Sequence, residues 1–474
     1  MSRGETTSES RRLLRAAVVL PGAEQPALVD GAVLVGEGRI LALGRYADLR
    51  TESATVTDAG EVLIPGLVDA HSHLRGLPLS AQGIASAPLE QWLCSLTTCT
   101  ALDPGDEAFL GATDLLLGGV TGVQAMVHAA GDASELGAVA AAVEDSVRRA
   151  GIRALLTLGY TDRAEYAPEP TGGAWRLAPA AEHRLDPDGY RALAGGLGSN
   201  TPDGPVDGLV EWGVGPVAPQ WASEAALAAI ARAADSRRVH LHLHESRAQR
   251  HWIGGEDTAL DRLDAHGLLT ERLSAAHAVD LTDAEIDRLA AAGVGLVHCP
   301  VSNHALRVGT ARVAQWLRGG IRPALGLDSH GDDPFVAMRS AWSAAEALGD
   351  PLTGPQVFAM ATSGAARAMG VAGGVLRPGA PADLTSLDLG SLPPGAGEGT
   401  VDLLVEQASR ARVSSVWVAG RRVVRDGRAA ADTAAVRARL LRAVDADEAD
   451  RTARQRALAP ALQAIASLPA GGPR

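Results

Sequence analysis

Lysine is absent from this sequence, and cysteine is scarce. All 43 basic residues among the 474 are arginine, which removes lysine from every catalytic role. The cysteines are Cys94, Cys99 and Cys299, and three cysteines cannot form a full disulfide framework. Chains without such a framework are typical of reducing compartments, so we predict a cytoplasmic location.

Long apolar runs and positive charge are also lacking. No run approaches the roughly 20 apolar residues that a membrane-spanning helix needs. The apolar stretch near the N-terminus is short and interrupted by Arg15, which is atypical of a signal peptide. The formal net charge of −13 argues against nucleic acid and membranes as partners, because an acidic surface is repelled by phosphate groups. We therefore expect a soluble globular protein whose partner is a small molecule.

Short apolar strands alternate with alanine-rich helical stretches through the middle of the chain. Examples are VEWGVGPVAP followed by SEAALAAIARAADS, and LSAAHAV followed by TDAEIDRLAAAG. This alternation predicts parallel βα units, and its length favours a (β/α)₈ barrel over an open sheet. Both ends of the chain instead contain short strands separated by glycine-rich turns.

Local signals mark one helix and one long loop. Thr282 and Glu285 have the spacing of a capping box, and Gly293 is placed to end the helix that follows. Residues 161–188 are irregular in pattern. Insertions of this kind in a barrel often form a lid over the active site, which is the hypothesis for this segment.

Two segments contain closely spaced histidines. PGLVDAHSH (65–73) ends in His71 and His73, and VHLHLHES (239–246) contains His240, His242 and His244. Residues two apart on a strand face the same side, so either segment can present imidazoles to one metal ion. From spacing alone, each histidine of the second segment is a candidate ligand, while paired surface histidines are the alternative for the first.

Single acid and imidazole groups follow two further predicted strands. His277 ends LSAAH, and Asp328 follows the apolar stretch ALGL. One such group is usually a helix cap or a solvated residue. Groups at the carboxyl ends of successive strands are better explained by catalysis, because active sites of barrels lie at that end.

As an ordered set, these segments resemble the amidohydrolase superfamily. The resemblance is greatest to its branch of metal-dependent deaminases and chlorohydrolases, which includes cytosine deaminase, triazine hydrolase, and guanine and S-adenosylhomocysteine deaminases. It covers roughly residues 15 to 430. The segments that carry it are PGLVDAHSH, HLHLHES, AAHAVDLTDAEIDRLAAAGVGLVHCPVSN and ALGLDSHGDDPF, together with PLEQWL, LLLGGVTGV and PGAPADL.

The resemblance implies a barrel combined with a small β-sandwich built from both chain ends. We accordingly predict the barrel at residues 65–375 and the composite β-sandwich at 1–64 and 376–430. A helical tail is expected at 431–474. A homodimer is expected by analogy with the family only.

The resemblance also implies a ligand set and a catalytic set. One divalent metal would be bound by His71, His73, His242 and Asp328, and catalysis would involve Glu245, His277 and Asp328. His242 is chosen because this branch has an H-x-x-E pattern in which the ligand precedes the acid by three residues. Zinc is the expected metal and ferrous iron the alternative, since imidazole and carboxylate ligands suit both.

The neighbours of His242 then receive different roles. His240 lies about 6–7 Å deeper along the strand, two residues at the usual rise, and is expected to be packed and hydrogen-bonded. His244 lies the same distance outward and is placed at the mouth of the barrel, near the substrate.

The absence of lysine bears on the number of metals. Many members of the superfamily bridge two metals with a carboxylated lysine, which cannot exist here. A glutamate or cysteine bridge stays open, although no good candidate lies at a strand end before His242. We therefore predict one metal ion per chain.

Several residues near these motifs are candidates for substrate contacts. Trp92 in PLEQWL is interpreted as a packing residue. For Arg75 a solvated side chain is the alternative, and for His128 it is core packing. The candidate substrate-binding residues are Arg75, His128, Gln220, His304 and His330.

The implied reaction is hydrolysis of a C=N or amidine carbon by metal-activated water, with release of ammonia from an N-heterocyclic or guanidine-like molecule. Glu245 would donate a proton to the substrate nitrogen, and His277 would hold the attacking hydroxide. Alternatives are another leaving group (chloride, an alkylamine or a ring-opened amide), a formimidoyl-type deiminase, and a non-catalytic scaffold. Val217 stands where S-adenosylhomocysteine-type deaminases commonly have a histidine, so no single substrate is predicted.

Overall fold

Two sheets organise the chain, whose structure here is a computed structural model. The structure describes residues 11–50, 54–128, 131–163, 185–198, 208–252, 258–390 and 399–466. The strands are β1 (Arg12–Val19), β2 (Leu28–Gly36), β3 (Arg39–Arg45), β4 (Thr55–Asp58), β5 (Val62–Pro65), β6 (Leu67–Ser72), β7 (Val120–Val127), β8 (Arg153–Tyr160), β9 (Val210–Pro216), β10 (Val239–Leu243), β11 (Leu273–His277), β12 (Gly295–His298), β13 (Ala324–Leu325), β14 (Leu384–Leu387), β15 (Val413–Val418), β16 (Arg421–Arg425) and β17 (Arg428–Ala429).

Helices connect most of the strands of the central part. The α-helices are α1 (Tyr46–Leu49), α2 (Leu89–Leu96), α3 (Pro104–Leu117), α4 (Ala133–Ala150), α5 (Pro187–Gly196), α6 (Glu224–Ala234), α7 (Arg247–Trp252), α8 (Ala259–Ala265), α9 (Asp283–Ala291), α10 (Pro300–Ala305), α11 (Val313–Arg318), α12 (Pro334–Ala347), α13 (Gly354–Met360), α14 (Ser363–Met369), α15 (Thr400–Gln407), α16 (Ala434–Ala446) and α17 (Glu448–Ala466). Short 3₁₀ helices lie at Leu79–Gln82, Pro219–Trp221 and Arg410–Arg412.

Strands β6 to β13 form a parallel barrel in chain order. Each strand pairs with the next one, and an isolated parallel bridge between Ser72 and Asp328 joins the last strand to the first. Within the described residues these are eight strands, nearly all of whose residues are buried, as expected for a sheet covered by helices. The predicted (β/α)₈ barrel is confirmed.

The register of the barrel brings the ends of distant strands to one level. His242 pairs with Ala276 and Leu243 with His277, so β10 and β11 end side by side. The amide of Asp328 donates a hydrogen bond of 2.8 Å to the carbonyl of His71. Because all strands are parallel, their carboxyl ends gather these side chains at one opening.

The two ends of the chain share the second sheet. In this sheet β14 pairs antiparallel with β5, and β5 pairs parallel with β1. Gly66 links β5 directly to β6, and a Cβ there would overlap the side chain of Thr121. The prediction that both chain ends build one β structure beside the barrel is confirmed, while the predicted domain limits stay predictions.

The C-terminal helices lie against the segment that precedes the barrel's second strand. The Arg439 guanidinium pairs with Asp106 at 2.5 Å, and Gln455 donates to the carbonyl of Gln82 at 3.1 Å. No described helix has the combination of length and apolarity that crossing a membrane requires. The predicted lid (161–188) falls largely on residues 164–184, which lie outside the described residues.

One predicted helix boundary and one predicted cap are confirmed. Thr282 caps α9, its hydroxyl accepts from the amide of Glu285, and the Glu285 carboxylate accepts from the amide of Thr282. Gly293, with a φ of 71°, follows the helix end in the left-handed region.

We expect Gly215→Ala to destabilise the barrel. A Cβ at this position of β9 would overlap the carbonyl of His240 on β10, and overpacking of this kind costs about 1–3 kcal/mol or more. Chemical denaturation measures the change. Gly195→Ala in α5 is the matched control, because no described residue outside its own helix would lie within 4 Å of the added Cβ, and alanine there should be neutral or slightly stabilising. Equal effects of the two substitutions would contradict the packing argument.

Candidate active site

Hydrogen bonds set the direction of the His71 imidazole on β6. Its Nδ1 lies 2.8 Å from Nε2 of His240, whose own Nδ1 lies 2.8 Å from Oγ and 3.2 Å from the carbonyl of Ser274. Since a carbonyl only accepts, His240 donates from Nδ1 and accepts at Nε2, which assigns the proton of His71 to Nδ1. The buried Nε2 of His71 therefore carries a lone pair, and it has no hydrogen-bond partner among the described residues.

Two other imidazoles are oriented in the same way. Nδ1 of His242 donates to the carbonyl of Val217 at 2.7 Å, and Nδ1 of His277 lies 3.0 Å from Oδ1 of Asn303. Each ring therefore directs a lone pair from Nε2 into the opening of the barrel.

These lone pairs converge with a carboxylate. Nε2 of His73 lies 3.4 Å from Nε2 of His242 and 3.4 Å from Oδ1 of Asp328, and Nε2 of His71 lies 3.8 Å from the same oxygen. Ligand atoms of His71, His73 and His242 all lie within 4.8 Å of one another. The Nε2 atoms of His71 and His277 are buried without hydrogen-bond partners among the described residues, and buried acceptors of this kind are unfavourable unless a cation lies among them. The donor set therefore fits a divalent metal ion.

The protonation states agree with this fit. Burial lowers the pKa of His71 far below its usual value, and neighbouring imidazoles lower it further. Burial is also the main cause of the lowered pKa values of His242 and His277, and it lowers the pKa of His73 to about 3. Metals bind neutral imidazole, so the rings are ready to act as ligands at neutral pH.

Two carboxyl groups beside the imidazoles have opposite protonation tendencies. Glu245 Oε1 lies 3.7 Å from Nε2 of His277, and burial raises the pKa of Glu245 to about 8. Burial also acts to raise the pKa of Asp328, but the neighbouring His73 and His277 outweigh it, so that this pKa lies below its usual range. A protonated and an ionised carboxyl group in one site can serve as acid and base.

Unusual backbone conformations occur where the strands end. His277 has a φ of 70° and Asp328 a φ of 59°, both in the left-handed region that costs side-chain-bearing residues energy. These turns direct both side chains toward the barrel axis immediately after the strands.

The predicted position of His244 is wrong. Its φ of 44° breaks the alternation of β10, so the side chain does not continue toward the mouth. The ring is buried, with Nε2 at 3.7 Å from Oε1 of Glu285 on α9. Glu285 also pairs with Arg250, which makes His244 part of a contact between the barrel and its helices. The prediction that His240 is packed and hydrogen-bonded is confirmed.

Sequence reasoning missed residues that orient the site. Asn303 lies in the segment VHCPVSN, where no spacing pattern marks it, and its Oδ1 accepts a hydrogen bond from Nδ1 of His277. Asp69 accepts from the amides of His71 at 3.1 Å and Leu327 at 2.9 Å, and burial raises its pKa to about 8. Its position two residues before His71 in PGLVDAHSH was the available signal, because alternate strand residues share a face.

The predicted substrate residues are divided between cavities. A cavity of about 510 Å³, called here the active-site cavity, is lined by Arg75, Trp92, Asp328 and His330 among others. The His330 ring lies 5.1 Å from Trp92, a buried residue that also packs against leucines, in agreement with its predicted packing role.

The other candidates lie elsewhere or deeper. His128 shares a cavity of about 150 Å³ with His73 and Arg75. Gln220 is buried, and its Nε2 has no hydrogen-bond partner in the described part of the chain. His304 is exposed and lines a separate cavity between α10 and α12, away from Asp328, so the structure does not bring it to the site.

Comparison with curated proteins identifies deaminases as relatives. A 5-methylthioadenosine/S-adenosylhomocysteine deaminase of Nitratidesulfovibrio vulgaris is 31% identical over 401 residues, which cover 80% of this chain and 83% of that protein. A 5'-deoxyadenosine deaminase of Methanothermobacter thermautotrophicus is 31% identical over 418 residues, covering 84% and 90%.

Solved structures share the fold. A zinc-bound adenosine deaminase from Xanthomonas campestris superposes with a TM-score of 0.75 at 30% identity, covering 91% of this chain and 97% of that chain. A triazine hydrolase from Arthrobacter aurescens gives 0.77 at 22% identity, covering 92% and 100%, which shows the fold alone. The sequence pattern of the amidohydrolase family matches residues 62–423. The predicted superfamily is confirmed: this chain belongs to the amidohydrolase family.

Proposed function

We propose that this protein is a metal-dependent aminohydrolase that releases ammonia from an amidine carbon of a small N-heterocyclic or guanidine-like molecule. The observation that carries the proposal is the convergence of imidazole nitrogens and the Asp328 carboxylate next to the buried Glu245, whose pKa burial raises to about 8. Relatives at 31% identity are deaminases, which supports this reaction class over release of chloride or opening of a ring. A non-catalytic scaffold is disfavoured because the full set of ligands and acid–base groups is present.

His71, His73, His242 and Asp328 would hold the metal, for which we propose zinc, with one ion per chain. When bound there, a divalent metal lowers the pKa of water and supplies a nucleophile at neutral pH. The hydrogen bond from His71 to His240 holds the ligand ring in place and fixes its tautomer, which is a recognised means of raising metal affinity.

Glu245 and Asp328 divide the proton transfers. Glu245 enters the reaction protonated, because burial raises its pKa to about 8, and it donates a proton to the ring or imine nitrogen of the substrate. This donation makes the amidine carbon more electrophilic. Asp328 enters ionised and accepts one proton from the attacking water. Glu245, left ionised by its first donation, takes the second proton of that oxygen as the C=O bond forms and passes it to the departing amine, which leaves as ammonia. Asp328 then returns its proton to Glu245, and both groups regain their starting states.

His277 orients the attacking water. Since its Nδ1 proton is engaged by Asn303, the neutral ring offers only a lone pair at Nε2 and accepts a hydrogen bond from the water. The ring can stabilise a negative oxygen only after it has taken up a proton. His277 therefore accepts a hydrogen bond from the water before it can donate one to a negative oxygen, because its neutral tautomer has no proton on Nε2.

One residue near the site, Val217, argues against recognition of a nucleoside through its ribose. Val217 is buried against Met126 and Trp221 and offers no hydrogen bond. A ribose hydroxyl would find no partner at this side chain. We therefore propose that the substrates are amines whose binding needs no hydrogen bond from ribose at this position. The relatives described above are, by contrast, deaminases of adenosine-type molecules.

We expect Glu245→Gln to keep its metal and lose at least about 100-fold in turnover, because glutamine cannot donate and recover a proton. The measurement is ammonia release from aminated pyrimidines, purines, pterins and triazines by zinc-loaded protein. Glu346→Gln, at an exposed position of α12, is the matched control and should retain activity. A metal-loaded Glu245→Gln protein with full turnover would exclude this role.

We expect His242→Ala to abolish tight metal binding and His240→Ala to weaken it about 10–100-fold, the range found for residues that orient ligands. His244→Ala, whose ring contacts Glu285, should retain the metal. Metal analysis by mass spectrometry and a competing chelator measures both content and affinity. Two tightly held equivalents in the parent protein, or loss of metal in His244→Ala alone, would show that the ligand assignment is wrong.

A further inference from the structure

One arginine of the active-site cavity forms no ion pair with any described residue. Three arginines line this cavity, counting described residues only. Arg410 pairs with Asp114 at 2.9 Å and with Asp332, and Arg437 pairs with Asp114 at 3.1 Å. Arg75 forms no ion pair or hydrogen bond with any residue that the structure describes, and its Nε is buried without a partner.

The backbone holds Arg75 in a defined place. A Cβ at Gly76 would come within 2.9 Å of the Glu107 backbone, and a Cβ at Gly111 within 2.8 Å of the carbonyl carbon of Leu74. The loop after β6 therefore packs directly against α3. Leu74 in this loop adopts a φ of 49°, a left-handed conformation that is strained for a residue with a side chain.

Glu107 is the acidic group that faces Arg75 from α3, and it compensates the charge only in part. Burial raises the pKa of Glu107, and the charge of Arg75 counteracts that rise. The two side chains do not form an ion pair, although they line the same small cavity. Arg75 lines both this cavity and the larger one that contains Asp328, so the residue borders the space where substrate would bind.

We propose that Arg75 binds a carboxylate of the substrate. The preferred substrates would then carry a carboxylate as well as the amino group that is released. A guanidinium keeps its charge and presents a planar fork of donors that matches a carboxylate. A partly buried cation without a partner is costly, and a carboxylate of the substrate would remove that cost. Arg75 thus becomes a specificity-determining residue, and this assignment rests on the proposed aminohydrolase function.

The test uses two pairs of amines that differ in one carboxylate: pterin with pterin-6-carboxylate, and methylguanidine with guanidinoacetate. Zinc-loaded parent protein, Arg75→Gln, Arg75→Lys and the exposed control Arg322→Gln are compared by ammonia release and by titration calorimetry. The parent protein should prefer the acid of at least one pair. Arg75→Gln should lose about 30-fold in kcat/KM for that acid, mainly through KM, and less than about threefold for its neutral partner.

Arg75→Lys should recover part of the preference, since it keeps the charge but not the fork. The assignment would be overturned if the parent protein had equal kcat/KM for the acid and the neutral compound in both pairs. It would also be overturned if Arg75→Gln lowered kcat/KM equally for both compounds. If no amine releases ammonia, the proposed function fails separately. Calorimetry then tests carboxylate binding by Arg75. This role is supported if the parent protein binds the acid more tightly than the neutral compound and Arg75→Gln abolishes the difference. Equal binding of the two compounds, or no binding, overturns it.

Discussion

The packing of unprotonated imidazole nitrogens against one another is the constraint on which the site depends. Ring centroids of neighbouring histidines lie 4.7 to 5.4 Å apart. His71, His242 and His277 donate outward from Nδ1, so their Nε2 lone pairs face inward. A buried group of acceptors without donors is unfavourable in itself, and a cation resolves it. The outer partners of the rings, His240, Val217 and Asn303, are therefore as much a part of the site as the inner ligands.

The barrel supplies the geometry that this constraint requires. Parallel strands in register end at one level, and the bridge from Ser72 to Asp328 brings the last strand beside the first. Asp69 ties the same two segments together through the amides of His71 and Leu327. Left-handed turns at His277 and Asp328 then direct those side chains inward. The strain at these turns is offset by the surrounding packed sheet, so ligand positions and fold stability are linked.

Charge is distributed unevenly around the cavity that opens above these residues. Arg410 and Arg437 form ion pairs with Asp114 or Asp332, whereas Arg75 forms no ion pair within the described residues. Burial raises the pKa of Glu245 to about 8, whereas the pKa of Asp328 lies below its usual range. The same fold therefore holds an acid, a base and a fixed cation within one opening, which is the arrangement that hydrolysis of an amidine-bearing acid would use.

The sequence by itself determined the fold class and predicted the principal site residues. Strand–helix alternation predicts the barrel. The resemblance carried by PGLVDAHSH, HLHLHES, LSAAH and ALGLDSH implies the site residues His71, His73, His242, Glu245, His277 and Asp328. Only the tertiary structure decided the direction of His244, since one left-handed residue breaks the alternation on which the prediction rested. It also separated His304 from the site and brought Asn303 to His277, because contacts between distant elements depend on how helices pack on the barrel, and local pattern does not encode that packing.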